Sequence, residues 1–272
     1  MRLHRYFGSH ADTTLRDRRL LLAKVSDFND PFEFTHRFTG EYTIDHAEID
    51  LQSMDERKVN AMLEVIEEFQ ESNHFKKVSP RRRLAEFFVG SGGRPPVDTH
   101  HGHKLADDFF RLCCFSMTDV GADSEILLWS HYAKSHQGVR IEFDLDERNL
   151  PLSKVNYSRV RCAIDFSKAY EGDHINKVLN QAFNTKSLGW GYEHEVRLIL
   201  NKNSVVKKPV PLGYKYFFSF DPSWVKSVDF GINCNGETVK NITTILKTRY
   251  PHVAMRKAFH HPEDYAIDYH PI

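Results

Sequence analysis

The stretch LLWSHYAKSHQGVRIEFD, residues 127 to 144, reads as a helix, a glycine stop and a strand in direct succession. Trp129, Tyr132 and His136 stand at i, i+3 and i+7, which puts them on one face of a helix expected over about Glu125 to His136. Gly138 suits the cap, and Val139 to Asp144 then alternates apolar and polar residues with the period of a strand. The same alternation recurs at Leu112 to Ser116, Val155 to Tyr157, Glu195 to Leu200, Tyr216 to Phe220 and Val225 to Phe230. Helical spacing covers Asp165 to Phe183 and about Glu237 to Arg249, and segments around His252 to Met255 and Tyr265 to Tyr269 read as a closing strand pair.

Working outward to the other end, residues 2 to 7 read as a strand and Ala11 to Leu21 as a helix carrying Arg16, Arg18 and Arg19, so the chain opens β-α-β. Asp30-Pro31-Phe32-Glu33 has the capping-box pattern of a helix or turn start. Between Leu51 and Ser72, apolar residues recur at helical spacing on a charged background; a second helix is expected over Arg81 to Val89, and Gly90 to Pro96 is a flexible exit. These features predict an α+β fold with a mixed, mainly antiparallel sheet core, one domain over 1–272, and a helical insertion at 45–103.

Composition narrows the function classes. Of 272 residues, 40% are apolar and 12% aromatic, enough for a packed core, and 37 basic residues balance 37 acidic ones. A net charge of zero removes any global electrostatic argument for nucleic acid or membrane, so a polyanion site would have to be local. MRLHRYFGSH has no apolar signal core, and no apolar run approaches the roughly 20 residues that span a bilayer. Cys113, Cys114, Cys162 and Cys234 have neither disulfide-framework nor zinc spacing. The expectation is a cytoplasmic protein with reduced thiols, no membrane partner and no metal. His100, His101 and His103 sit in a glycine-flanked loop without an evident carboxylate, and neither a Walker loop nor a dinucleotide fingerprint is present.

Three clusters could carry chemistry. In the first, Ser130, His131, Tyr132 and His136 put polar groups beside Trp129; ordinary core packing explains any one of them, but not so readily the group. In the second, Trp190-Gly-Tyr-Glu-His-Glu-Val-Arg197, strand parity sets Glu193, Glu195 and Arg197 on one face, as either an ion-pair ladder or a paired-carboxylate site. The third, Asn29 and Asp30 in the FNDPFE turn, is first a cap, and it could also organise an anion site near Arg5.

On these residues the sequence resembles a widespread bacterial family known as a domain of unknown function, family 2971. The resemblance lies in Leu3 to Tyr6, FNDPFE at 28 to 33, CFS at 114 to 116, 127 to 144, and Lys186 with WGYEHEVR at 190 to 197. More loosely, the order of basic strand, serine- and tyrosine-bearing segment and Glu-x-Glu strand is similar to ADP-ribosyltransferases. That second resemblance implies an ADP-ribosyltransferase-like sheet and NAD as substrate. It also implies Arg5 gripping phosphates next to Tyr6, Ser130 and His131 at the nicotinamide half, Glu195 at the ribose hydroxyl, and Glu193 orienting an acceptor. Trp190 would stack on nicotinamide, with Tyr132 and His136 completing the catalytic group. The function so implied is an NAD-consuming ADP-ribosyltransferase or NAD glycohydrolase acting on a small-molecule nucleotide, with a protein or nucleic-acid acceptor and the role of a toxin or antiviral effector open to it. Two other classes compete with it: a nucleic-acid-directed effector using His131 or His136 at neutral pH, and a non-catalytic nucleotide or partner-binding sensor.

Overall fold

Leu3, Arg5 and Phe7 alternate with His4 and Tyr6 along the first strand, and this parity separates an apolar from a polar face of the sheet built around it. The structure, a computed structural model, describes residues 1–34, 37–39, 55–57, 59–60, 79, 82, 107, 110–161, 163–165, 181, 183–211 and 213–272. Its strands are β1 Arg2–Phe7, β2 Arg19–Leu22, β3 Arg37–Thr39, β4 Phe110–Met117, β5 Val139–Asp144, β6 Leu152–Lys154, β7 Asn156–Ser158, β8 Ala163–Asp165, β9 Thr185–Ser187, β10 Glu195–Asn201, β11 Val206–Val210, β12 Gly213–Ser219, β13 Val225–Phe230, β14 Ala254–His260 and β15 Ile267–Pro271. Its helices include α1 Ala11–Asp17, α2 Ala122–Tyr132 and α3 Gly236–Arg249.

The chain divides into two compact units. The first comprises Met1–Phe28, Phe109–Tyr157 and Leu188–Ile272. Its main sheet runs β15-β14-β13-β5-β1-β4-β10-β6, with antiparallel pairing throughout except between β13 and β14, which α3 connects. The fold class is therefore α+β with a mixed, mainly antiparallel sheet. One face of this sheet is apolar. Leu3, Phe7, Cys113, Phe115, Ile141, Phe143, Val196, Leu198, Val228 and Phe230 form a buried core with Leu15 of α1 and Ile242 and Leu246 of α3. Burial of one such side chain contributes about 1.5–3 kcal/mol, so this face supplies most of the drive to fold. A second sheet, β11-β12-β2, adds Leu20, Leu22 and Tyr216 to the same core.

Two expectations need correction here. The helix of the opening β-α-β stops at Asp17, not Leu21, because Arg18 turns left-handed at φ 55 and Arg19–Leu22 pairs with β12. A run of leucines has good helix propensity, but an available strand partner overrides it. The helix expected to reach His136 ends at Tyr132, and Lys134, Ser135 and His136 follow with φ 50, 52 and 64.

The second unit comprises Asn29–Asp108 and Ser158–Ser187. In it β3 and β8 pair in parallel, Phe34 meets Phe183 edge to face at 5.5 Å, and buried Lys186 lies 3.7 Å from buried Glu33. Asp30 accepts from the backbone of Phe32 at 2.9 Å, so DPFE is a side-chain-closed turn and not a helix start. The expected insertion at 45–103, the helix at Arg81 to Val89 and the loop histidines His100, His101 and His103 lie outside the described residues, a few isolated positions excepted. The expected helix over Asp165 to Phe183 begins instead with β8, and most of its remainder also lies outside them.

Candidate functional site

The opposite face of the main sheet is polar, and it is buried as well. Register places Asp229, Arg140 and Tyr6 side by side on β13, β5 and β1, with Arg256 beside Asp229 on β14. Asp229 is fully buried and receives the Arg140 Nε at 2.8 Å and the Arg256 Nε at 2.6 Å. Arg140 also donates to Glu125 of α2, and its guanidinium lies 4.3 Å from the centroid of the Tyr269 ring. Trp129 Nε1 donates to the Tyr269 hydroxyl at 2.8 Å, and that hydroxyl donates to Glu125 at 2.8 Å. Burial opposes the charge of Arg140, but Asp229, with Tyr269, Tyr6 and Glu125, outweighs it and raises its pKa. This network fastens α2 to the sheet and fixes where the helix presents its other polar groups.

At the far end of α2, the Tyr132 hydroxyl donates to Glu193. Burial, reinforced by that carboxylate, raises the tyrosine pKa, so Tyr132 remains a donor. His131 Nδ1 sits 2.8 Å from the Tyr192 hydroxyl, and Tyr192 lies 6.1 Å from Trp190, forming an aromatic row along the helix end. Glu193 closes a 3-10 turn, Leu188–Glu193, and His194 follows at φ 45 before Glu195 starts β10. This corrects the expectation that Glu193 shares strand parity with Glu195 and Arg197; the left-handed His194 breaks the period. Glu195 and Arg197 do share a face. Arg197 grips Glu195 with Nε to Oε1 at 2.8 Å and Nη2 to Oε2 at 3.0 Å, and burial brings the arginine pKa down to about 9. The backbone N–H of Glu195 donates to the Tyr157 hydroxyl at 2.8 Å. The Cys114 thiol lies beside Glu195, and burial with that carboxylate pushes its pKa well up, which argues against a nucleophilic thiolate.

His136 is held differently. Its ring stacks on Trp129 at 6.1 Å with a 12° interplanar angle, and its Nε2 is 3.1 Å from Ser130 Oγ. Ser130 Oγ donates to the Ile126 carbonyl at 2.8 Å, so it accepts from the imidazole, and the proton sits on Nε2. Nδ1 is buried without a hydrogen bond among the described residues. The three left-handed residues leading to it are tolerated because Gly138 and Gly231 allow close backbone approach. A Cβ on Gly138 would lie 1.9 Å from the Phe7 carbonyl oxygen, and one on Gly231 would lie 2.2 Å from the His136 carbonyl oxygen.

Of the residues expected to share a site, the first unit brings Ser130, His131, Tyr132, His136, Trp190, Glu193 and Glu195 to the α2 side of the sheet, with Tyr6 on the same face. Arg5 is not among them. It shares the parity of Leu3 and Phe7, donates to Cys113 and to the Leu21 carbonyl, and lies 5.5 Å from the Phe7 ring centroid on the apolar face. Asn29 and Asp30 belong to the second unit, where Asp30 closes its own turn. The Arg140–Asp229–Arg256 network was not anticipated, although the alternation of VRIEFD and VKSVDF already put charged residues opposite the apolar ones. Among the described residues no cluster of His, Cys, Asp or Glu has a metal-binding arrangement, and no helix is long and apolar enough to cross a membrane.

No curated protein and no solved structure matches the chain. A family model described as "Protein of unknown function (DUF2971)" matches residues 128–198, the segment that runs from Leu128 of α2 through the 3-10 turn to the Glu195–Arg197 fork, and over that segment the chain is similar to this family.

Proposed function

We propose that the Tyr132, Glu193 and Glu195 region cleaves the N-glycosidic bond of a nucleotide, with NAD as substrate, either as an NAD glycohydrolase or as an ADP-ribosyltransferase. The supporting observation is that two buried carboxylates stand two residues apart beside an aromatic row, one engaged by a tyrosine hydroxyl and the other by an arginine fork. Leaving of nicotinamide develops oxocarbenium character on the ribose, and a fixed carboxylate stabilises that charge as in glycoside hydrolysis. A carboxylate has about four acceptor positions, so a bidentate arginine does not by itself saturate Glu195. Trp190 and Tyr192 offer the nicotinamide ring a stacking surface. Glu193, tied to Tyr132, suits the orientation of water or of a protein or nucleic-acid acceptor. Since Arg5 faces the other side of the sheet, the reading assigns it no part in binding the diphosphate.

Nicotinamide release from NAD by the purified protein tests this. Glu195→Gln should lower turnover on the order of 100-fold with thermal stability retained, and Glu193→Gln should impair transfer more than hydrolysis. No release by the wild type with any acceptor, or full turnover by Glu195→Gln, would sink the proposal. One observation favours a second reading, a hydrolytic effector on nucleic acid: His136 sits in a strained turn with Nδ1 unpartnered among the described residues and its pKa lowered by burial and then by His260, as a general base requires. RNA cleavage abolished by His136→Ala, with binding that falls steeply with salt, would select it.

A further inference from the structure

Strand register aligns five polar side chains in one transverse row on the buried polar face. Ser227 of β13 opposes Glu142 of β5, Glu142 opposes His4 of β1, His4 opposes Ser116 of β4, and Ser116 opposes Glu195 of β10. At about 4.8 Å per strand the row extends roughly 19 Å from the Glu195 carboxylate. One end is internally satisfied, since the Ser227 hydroxyl donates to Glu142 at 3.1 Å and accepts from Arg256 at 3.1 Å. The middle is not. His4 is 6% exposed, and its Nδ1 has no hydrogen-bond partner among the described residues. Ser116, 7% exposed, stands between that imidazole and Glu195. A polar group buried without a partner costs about 1–3 kcal/mol, a cost that a protein core rarely carries without a ligand or water to meet it.

The charges around this gap define what fits. Glu142 and Glu195 flank it within the row and disfavour an anion, while Arg140 and Arg256 stand in the next row and disfavour a cation. His4 itself is neutral, because burial, and after it Arg140 and Arg256, hold its pKa down to about 2. A neutral imidazole and a hydroxyl each donate and accept, and carboxylates accept, which is the complement of vicinal hydroxyl groups. We infer that Ser116 and His4 form a sugar subsite adjoining Glu195, which holds the ribose hydroxyls of the nucleotide. The subsite rests on the reading of Glu195 as the group at the ribose, and it assigns ribose binding to β1 and β4, strands outside the segment that matches the family.

ADP-ribose, which has the sugar and lacks the scissile nicotinamide bond, is the probe. Calorimetric titration of the full chain should show binding that weakens about tenfold in Ser116→Ala and about tenfold in His4→Gln, and NAD kinetics should show KM rising more than kcat falls. Ser116→Ala removes one hydroxyl and adds no bulk, so it decides the matter even where His4→Gln fails to fold. ADP-ribose bound equally by wild type and by Ser116→Ala would mean that an ordered water alone fills the row, and would overturn the subsite while leaving NAD turnover standing. Absence of ADP-ribose binding by the wild type would also overturn it. Binding that responds to both variants, in a protein that releases no nicotinamide, would support the subsite and remove the catalytic reading instead.

Discussion

The two faces of the eight-stranded sheet are buried to a similar degree by opposite means. On one, Leu3, Phe143, Val228 and Phe230 gain stability from contact with any apolar neighbour of suitable volume, so the face tolerates repacking. On the other, Asp229, Arg140 and Arg256 are stable only together, because each charge is costly to bury without its partners. The apolar face holds the fold, while the polar face fixes positions, and a candidate site is found on the second.

Mutation should separate these roles. Phe143→Ala and Asp229→Ala should each cost about 3–5 kcal/mol in urea unfolding, the first as a cavity and the second as two orphaned guanidiniums. They should diverge when the neighbours are changed. Replacing Arg140 and Arg256 by Met and Asp229 by Leu together should restore stability to within about 1 kcal/mol of wild type, whereas no removal of neighbours rescues Phe143→Ala. If the triple variant is no better than Asp229→Ala, the network contributes more than mutual neutralisation.

Acid should act through the polar face. His4 has its pKa lowered to about 2 from an ordinary 6.5, so the unfolded chain binds a proton that the native protein refuses. Its contribution is fully present above pH 6.5 and declines as pH falls, with a slope of about 1.4 kcal/mol per pH unit. His136, lowered by burial, adds to the loss in the same direction. Unfolding midpoints compared for wild type and His4→Gln between about pH 7 and about pH 5 should converge as pH falls. Parallel curves would show that His4 titrates normally.

The smallest effect is expected at Arg5. Arg5→Met keeps the stem packed against Phe7 and removes its bond to the Leu21 carbonyl, so it should cost about 1 kcal/mol. Nicotinamide release should stay within about threefold of wild type. A 100-fold loss would return Arg5 to the nucleotide and contradict the separation of the two faces.

How legible each element is in the sequence depends on how local its cause is. Strands Val139–Asp144 and Val225–Phe230 agree with expectation to the residue because alternation alone specifies them. The aromatic and acidic cluster from Trp129 to Glu195 is legible as a group for the same reason. Order along the chain suggests Arg5 for the site, whereas its parity with Leu3 and Phe7 already places it on the apolar face. Glu193 departs from its expected strand because the left-handed His194 leaves no mark in a periodicity. The partnership of Asp229 with Arg140 needs β13 to lie beside β5, and the Ser116–His4 row needs β1 between β4 and β5; both are facts of topology that no local pattern contains.

That central place of β1 has a consequence for the time course of folding. Arg2 pairs its side chain with Glu142 across 140 residues of chain, and β4, the other neighbour, lies more than about 100 residues downstream. During synthesis β1 emerges first and has neither flanking strand until residue 144 has left the ribosome. The heart of the sheet must therefore close late, through contacts of high order, and refolding should be slow for a domain of this size. Until then LHRYF is an unpaired strand with both edges open, the state in which a chain is most exposed to association with its neighbours.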